Sequence, residues 1–462
     1  MKAKIAITNE VYCVITGLSK AHNDFLLDKF SPFVDGYRFM PMFQLGRWSG
    51  KISFFEKTGK TYVRLLSRII PYLDNWGYEI ELVDPRPYYE HPKPIDENIF
   101  ADQGIIIRPY QVEAINACIE IGTGVALLGT GAGKSLITAA LSKVYSDLGH
   151  NAITVVPSSD LVQQTYDWYD KLGLDVGIYC GNRKEYDHPN VVATWQSIQH
   201  YPKLLKSFNC IIWDETHSAT AQVASKLLNT DGVHVPFKFG VTGTFPKPEA
   251  NKLSLHSSIG DILIEVPASW LIEQGYLASI DIEQIELKET HKEEFPDYAS
   301  EKEYLSRAEH RMDVIADLII AKAEEYGNCL VLVSSVPFGK KLAGMIQDVV
   351  FLSGENKRSE RKEQYDMFED RDGVICIATT GIASTGISID RVKTLVFVDV
   401  GKSFITTIQS VGRGTRLAAD KKSVHVVDIY SSLKYAKKHA NERKKWYKEA
   451  EYEISKKTVI KI

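Results

Sequence analysis

The sequence predicts an α/β protein: two doubly wound parallel-sheet lobes behind a small N-terminal α+β domain. Three observations predict it. From Arg108 onward, short and nearly continuous apolar runs alternate with helical segments, the pattern of strands buried on both faces. One such run leads into the loop Gly129-Thr130-Gly131-Ala132-Gly133-Lys134-Ser135, which opens an apolar-periodic helix through Leu148. The residues before about 95 lack that alternation and end in four prolines among the eleven residues 84–94, which continue neither a helix nor a central strand. A chain of 462 residues exceeds one hydrophobic core and fits about three domains of roughly 150 residues. The expected divisions are 1–95, 96–275 and 276–462.

Taken in order, Ile5–Ile7 and Val11–Ile15 read as a hairpin and Lys20–Phe30 as a short helix. Trp48–Glu56 and Glu79–Val83 read as further strands with a helix from Tyr62 to Trp76 between them, and the proline-rich segment reads as a linker. The first lobe's strands are expected at Val125–Leu128, Ala152–Val156, Val191–Ala193, Cys210–Trp213 and Lys238–Val241. Those of the second are expected at Cys329–Val333, Val349–Leu352, Val374–Ala378, Thr394–Val398 and Ser423–Asp428, with the joint near Gln274 to Thr290.

Composition is that of an ordinary soluble globular protein, 44% hydrophobic and 25% charged. The net charge of −4 hides a basic bias at both ends. Residues 30–70 hold seven Lys/Arg against two acids, and residues 421–462 hold twelve against five. Such ends suit a polyanion, although a solvated helix face explains the C-terminal run equally well. The six scattered cysteines form no CxxC pair and read as inert thiols of a reducing compartment. No apolar run approaches the roughly 20 residues of a bilayer span, and Met1-Lys2-Ala3-Lys4 leads into strand-like residues rather than a signal core. No membrane partner is expected, and the location is expected to be cytoplasmic.

The loop at Gly129–Ser135 carries the chemistry of a nucleoside triphosphatase. Glycines let backbone N–H groups close around phosphate oxygens, Lys134 reaches the β- and γ-phosphates, and the Ser135 hydroxyl ligates Mg²⁺. Asp214 and Glu215 follow a strand candidate, at the carboxyl edge where open α/β sheets bind ligands. Asp214 suits Mg²⁺ held through water, and Glu215 suits activation of the attacking water. A lone acidic pair is more often a helix start, but one that follows a phosphate loop and continues into His217 is not. His217 is expected to link this site to Thr242-Gly243-Thr244.

Further on, Gln409-Ser410-Val411-Gly412-Arg413-Gly414-Thr415-Arg416 sets two arginines at i and i+3 on one side of a helical turn. Arginine stays charged and offers several donors to the γ-phosphate as charge builds in the transition state. Before the phosphate loop, Arg108-Pro109-Tyr110-Gln111 offers an adenine site: Gln111 for the N6/N7 edge, Tyr110 or Arg108 for stacking.

In this order the segments resemble the motifs of helicase superfamily two over roughly residues 105–430. Val155 to Leu161, including Pro157 and Ser158, resembles another motif of that family, as does Ala193-Thr194-Trp195-Gln196-Ser197. So do Phe351-Leu352-Ser353-Gly354 and Ala378-Thr379-Thr380-Gly381 to Gly386-Ile387-Ser388. The resemblance implies two RecA-like lobes with ATP and Mg²⁺ between them. Arg108, Tyr110, Gln111, Gly129 to Ser135 and Gly386 would hold the nucleotide, with Ser135 and Asp214 on the metal. Lys134, Asp214, Glu215, Gln409, Arg413 and Arg416 would carry hydrolysis. Pro157, Ser158, Thr194, Gln196, Ser197, Ser353, Gly354, Thr379 and Thr380 would line the nucleic-acid path, gripping phosphates without reading sequence.

The first unit, through Val34-Asp35-Gly36-Tyr37-Arg38-Phe39 and Gly46-Arg47-Trp48-Ser49-Gly50-Lys51-Ile52, resembles that of phage branch-migration helicases. There Arg38, Arg47 and Lys51 would hold phosphates of branched DNA, and Trp48 or Tyr37 would stack on an opened base. Aromatics in a small core with basic residues outside is the plainer reading of the same residues. The resemblance thus implies a monomeric, ATP-dependent DNA helicase acting on forks, Holliday-type junctions and R-loops. The same motifs fit a duplex translocase that leaves strands paired, or an RNA helicase; a non-hydrolysing binding module fits poorly because every catalytic position is filled.

Overall fold

The computed structural model describes residues 1–216, 221–290, 294–355, 371–380, 392–401, 423–449 and 451–462. The chain forms two compact units, residues 1–128 with 133–266 and residues 129–132 with 267–462.

The first unit holds two sheets. Strands Lys2–Ile7 (β1), Tyr12–Thr16 (β2), Lys60–Tyr62 (β3) and Glu79–Val83 (β4) pair in the order β3-β2-β1-β4. β1 runs antiparallel to β2 and parallel to β4. Alternate residues Ala3, Ile5, Ile7 and Cys13, Ile15 point inward onto Leu65, Leu66, Ile69 and Leu73 of the segment 63–75. The strand expected at Trp48–Glu56 is absent. That stretch is irregular, with single bridges at Lys51 and Phe55. Phe54 and Phe55 are both buried, whereas consecutive residues of a strand face opposite sides. Gly50 also turns at φ 80°, against the Tyr37 ring.

The second sheet has eight strands: Thr123–Leu128 (β5), Ala152–Val156 (β6), Val176–Cys180 (β7), Arg183–Lys184 (β8), Asn190–Thr194 (β9), Cys210–Asp214 (β10), Phe237–Thr242 (β11) and Ile262–Val266 (β12). Their order is β12-β5-β11-β10-β6-β9-β7-β8, parallel throughout except the β7–β8 hairpin. All five expected strands are present. β6, β9 and β11 are buried along their whole length, which is why they read as mostly apolar runs; the exception Lys238 of β11 is fully buried and donates to Leu228 O at 2.7 Å.

The proline-rich segment connects the two sheets and is bound along its length rather than loose. Arg86 pairs with Asp84 at 2.7 Å and with Glu10 at 2.6 Å. Beyond it, His91 Nδ1 donates to Ile119 O, and Asn116 exchanges two hydrogen bonds with the backbone of Ile95. Leu253 of the helix Glu249–Ser258 completes the core of the small sheet.

A polar clasp joins the same elements. Ser67 Oγ donates to Asp261 at 2.6 Å, and Arg68 reaches Asp261 and His256 Nε2. Arginine only donates, so Nε2 accepts and the ring proton sits on Nδ1, facing Asp261. The His256 hydrogen bond, then those of Ser67 and Arg68, hold the Asp261 carboxyl well below the usual carboxylate range against the opposing effect of burial. A lowered folded-state pKa gives stability that is full above the unfolded value of about 3.9 and lost as pH falls below it. The wild type should therefore lose melting temperature between about pH 4 and 2 more steeply than Asp261→Asn. Parallel pH profiles of the two melting curves would refute this clasp.

The second unit holds a seven-stranded, all-parallel sheet: Ser279–Lys288 (β13), Cys329–Val333 (β14), Val349–Leu352 (β15), Ile375–Thr379 (β16), Thr394–Val398 (β17), Ser423–Ser431 (β18) and Ile454–Lys461 (β19). The order is β15-β16-β14-β17-β18-β13-β19. The stretch expected to join the lobes instead contains β13, ten residues long and paired with β18 and β19 on either side. The five expected strands are present, with β16 shifted by one residue.

Under the sheet lies a buried ion pair. Arg443, on the helix Lys434–Glu449, binds the Asp428 carboxylate of β18 at 2.6 Å, with both side chains essentially inaccessible. Tyr447 Oη and Gln284 Nε2 also donate to Asp428, and Arg443 Nη1 donates to Val400 O. No helix among the described residues is long and apolar enough to cross a membrane.

Candidate active site

β5 ends at Leu128, and the phosphate loop follows it into the helix Lys134–Asp147. Gly131 and Gly133 take φ of 87° and 80°, values that side chains with a Cβ rarely adopt. At Gly133 a Cβ would also stand 2.4 Å from Gln111 Nε2. Gly133, at the start of this helix, has no side chain with which to cap it, so the helix offers its first N–H groups and positive dipole end to an incoming anion.

β10 delivers the acidic pair. Glu215 is not a glycine, yet it stands at φ 50°, a left-handed conformation that costs energy and clusters at functional sites. Its N–H is held by Val241 O of β11 at 2.8 Å and by Asp214 Oδ1 at 3.0 Å. The kink turns the side chain toward the loop, where Glu215 Oε1 lies 3.1 Å from Lys134 Nζ. Burial, and then the adjacent Glu215 charge, push the Asp214 carboxyl up; Lys134 opposes them without cancelling them. Among the described residues these two carboxylates face one ammonium, that of Lys134. Paired carboxyl oxygens at a carboxyl sheet edge are the donor chemistry of a divalent-cation site. Beyond β11, Thr242 Oγ1 donates to Thr244 O and closes a tight turn next to β10.

The expected adenine residues divide. Arg108 precedes the helix Pro109–Ile121 and remains partly accessible. Tyr110 is 3% exposed, with its ring in the core, so it does not offer a face for stacking. Gln111 is buried, and its Oε1 accepts from Arg108 N at 2.9 Å. Its carboxamide closes the start of the helix and sets its nitrogen end against Gly133, a role in positioning the loop that spacing alone did not reveal.

The residues of the first unit expected to line a nucleic-acid path lie at and just after the carboxyl ends of adjacent strands. β6 and β9 are adjacent, with Val156 opposite Thr194. Ser158 and Thr194 each cap the following helix, accepting from Leu161 N and Ser197 N. Gln196 Nε2 donates to Pro157 O at 3.4 Å and ties the two loops together. In the second unit Ser353 and Gly354 follow β15, Thr379 ends β16, its neighbour, and Thr380 comes directly after it. Ser353 is buried and accepts from Glu355 N, whereas a Cβ at Gly354 would meet no described residue within 4 Å.

In the small sheet's long loop, Arg47 is exposed, Arg38 donates to Tyr37 Oη, and Lys51 pairs with Asp28 at 2.7 Å. Trp48 is half-buried and donates to Lys51 O, and Tyr37 stacks on Phe33. The most accessible aromatic there is Phe39, at 84% exposure. Sequence reasoning passed over it, although an aromatic directly after Arg38 was the available signal. His217, Gly386, Gln409, Arg413 and Arg416 lie outside the described residues.

The chain carries three family matches in order. Residues 20–84 match the N-terminal domain of DNA helicase UvsW, residues 104–247 the type III restriction enzyme res subunit, and residues 310–418 the helicase conserved C-terminal domain. With the phosphate loop and acidic pair on parallel sheets, they define a superfamily-two, ATP-dependent DNA helicase. The chain is 30% identical over 450 residues to the ATP-dependent DNA helicase uvsW of Enterobacteria phage T4, covering 91% of this chain and 89% of that protein. It belongs to the UvsW family.

A Kineococcus radiotolerans DNA 3'-5' helicase XPB is 26% identical over 378 residues, covering 76% of this chain and 64% of that protein. Among solved structures, T4 UvsW shares the fold across the whole of both chains at 24% identity and a TM-score of 0.50. The type ISP restriction-modification enzyme LlaBIII shares it over 86% of this chain and 34% of its own, at 14% identity and a TM-score of 0.60.

Proposed function

We propose that this helicase uses ATP with Mg²⁺ to remodel branched DNA, acting as a monomer on forks, four-way junctions and R-loops. The observation that carries the chemistry is the Lys134–Glu215 contact beside Asp214. Before nucleotide binds, Lys134 is the counter-ion of the intended base. A γ-phosphate competes for that ammonium, and Glu215 is left to accept a proton from water. Mg²⁺ held by Ser135 and Asp214 would supply charge neutralisation on the β- and γ-oxygens. Coupling the lysine's release to ligand arrival keeps the base quiet in the unliganded enzyme.

Support for the branched substrate comes from the loop 36–51. It carries Arg38, Arg47 and Lys51 without an acidic residue, and it exposes Phe39. Cations hold phosphates, while an exposed ring offers a face to an unpaired base, worth about 1–3 kcal/mol per stacked base. The variant R38A/F39A/R47A should weaken fork and four-way-junction binding by about 1–3 kcal/mol while leaving single-strand-stimulated ATPase near wild type. Equal loss on both substrates would overturn the junction role.

The deciding experiment compares ATPase and strand displacement on single strands, forks, four-way junctions and R-loops, with RNA and a triplex on plain duplex as controls. Preference for branched DNA supports the reading. Triplex displacement without strand separation would make the chain a duplex translocase, and stimulation by RNA alone would make it an RNA helicase.

A further inference from the structure

The basic C-terminal segment is not absorbed by the ATP site or by the helicase motifs. The helix Lys434–Glu449 explains its composition. Ala436, Ala440, Arg443, Trp446 and Tyr447 are buried at three- to four-residue spacing, and Arg443 is locked to Asp428. The other face is lysine: 434, 437, 438, 444, 445 and 448 are all exposed. Lys457 of β19 lies alongside, and together these seven lysines with Glu442 and Glu453 line an open groove of about 1180 Å³.

Local acids do not explain the lysines. Lys437 pairs with Glu286 and Lys445 with Glu442, but Lys438, Lys444, Lys448 and Lys457 make no ion pair with a described residue. Lys444 and Lys457 instead meet each other, and the contact depresses Lys457 below the usual lysine range. Like charges set side by side are a cost that an anion placed between them removes. A merely solvated helix face would spread its lysines apart.

We infer that this groove is a second DNA-binding site, a cationic track for the phosphate backbone of a duplex arm, separate from the strand path of the helicase motifs. Lysine is a point charge on a flexible stem, suited to phosphates rather than to the planar recognition of bases. Tyr452, the aromatic of the lining, is buried, so the groove offers no stacking face for a single strand. From Lys434 to Lys448 the helix rises about 21 Å; that length of duplex axis carries roughly twelve phosphate charges, ample for the four lysines that pair with no described acid. The inference rests on the DNA-remodelling reading above, since it assigns a place to one arm of the same substrate.

The test uses the full chain in three forms: wild type, K438Q/K444Q/K448Q/K457Q, and the matching quadruple arginine variant. A labelled blunt duplex and a labelled single strand of equal length are titrated across about 50–200 mM salt. Loss of four phosphate contacts should lower the slope of log affinity against log salt on duplex by about 3–4 and weaken duplex binding at least tenfold in low salt. Arginine should preserve both. Single-strand-stimulated ATPase and melting temperature should stay at wild-type values in all three. An unchanged duplex slope in the glutamine variant, with wild-type DNA binding intact, would overturn the track alone. Equal loss on duplex and single strand would overturn its assignment to a duplex arm. A wild type that binds neither DNA would overturn the remodelling reading itself.

Discussion

The Glu215→Gln variant is expected to release phosphate about 10²–10⁴-fold more slowly than wild type, with its affinity for ATP within a few-fold. The amide has the shape of the carboxylate and keeps an oxygen for Lys134, so the geometry around the phosphate loop survives. What it lacks is a basic site to take a proton from water. The backbone at φ 50° is held by Val241 O and Asp214 Oδ1, contacts made by the main-chain N–H and therefore indifferent to the side-chain change. Single-turnover phosphate release and binding of a fluorescent ATP analogue separate the two effects. Turnover within threefold of wild type would remove Glu215 from the role of base, and lost nucleotide binding would recast it as a structural partner of Lys134.

Arg443→Ala is expected to destabilise the second unit by about 3–5 kcal/mol, the cost of leaving a buried charge unpaired. Asp428 is fully buried and accepts from Arg443, Tyr447 and Gln284; removing the guanidinium strands its carboxylate and opens a void beneath the helix Lys434–Glu449. Replacing both partners, as Arg443→Met with Asp428→Leu, should recover only part of the loss. The Tyr447 hydroxyl and the Gln284 amide would then lack their buried acceptor. Denaturant unfolding followed through the buried Trp446 reads the effect, and a change under about 1 kcal/mol would mean that the pair is relaxed by water.

How much of this was legible in the chain follows from where each feature's information lies. Gly131, Gly133, Lys134, Asp214 and Glu215 announce themselves because their chemistry needs those residue types in that order. The central strands are equally plain, since burial on both faces leaves them mostly apolar, with few exceptions such as Lys238 and Asn190. β13 was concealed because it alternates Ile282, Ile285 and Leu287 with Asp281, Glu283 and Glu286, a pattern that also suits a connecting segment. The irregular path of Trp48–Glu56 depends on Gly50 closing against Tyr37, a contact between residues distant in sequence. Arg443 looked like one more cation on a basic helix, and only the fold brings Asp428 beneath it. Gln111 was singled out for adenine; that its Oε1 also accepts from Arg108 N at its own helix start depends on the folded backbone and not on spacing.

The proline-rich strap, pinned at Arg86 and His91 and at Ile95 through Asn116, has a mechanical consequence. With Ser67 and Arg68 fastened to Asp261, it leaves the small sheet no slack against the sheet that carries Lys134 and Glu215. A load on the small sheet is therefore shared by strap and clasp, so lengthening the strap with glycines would loosen the joint only if the Asp261 clasp were removed as well.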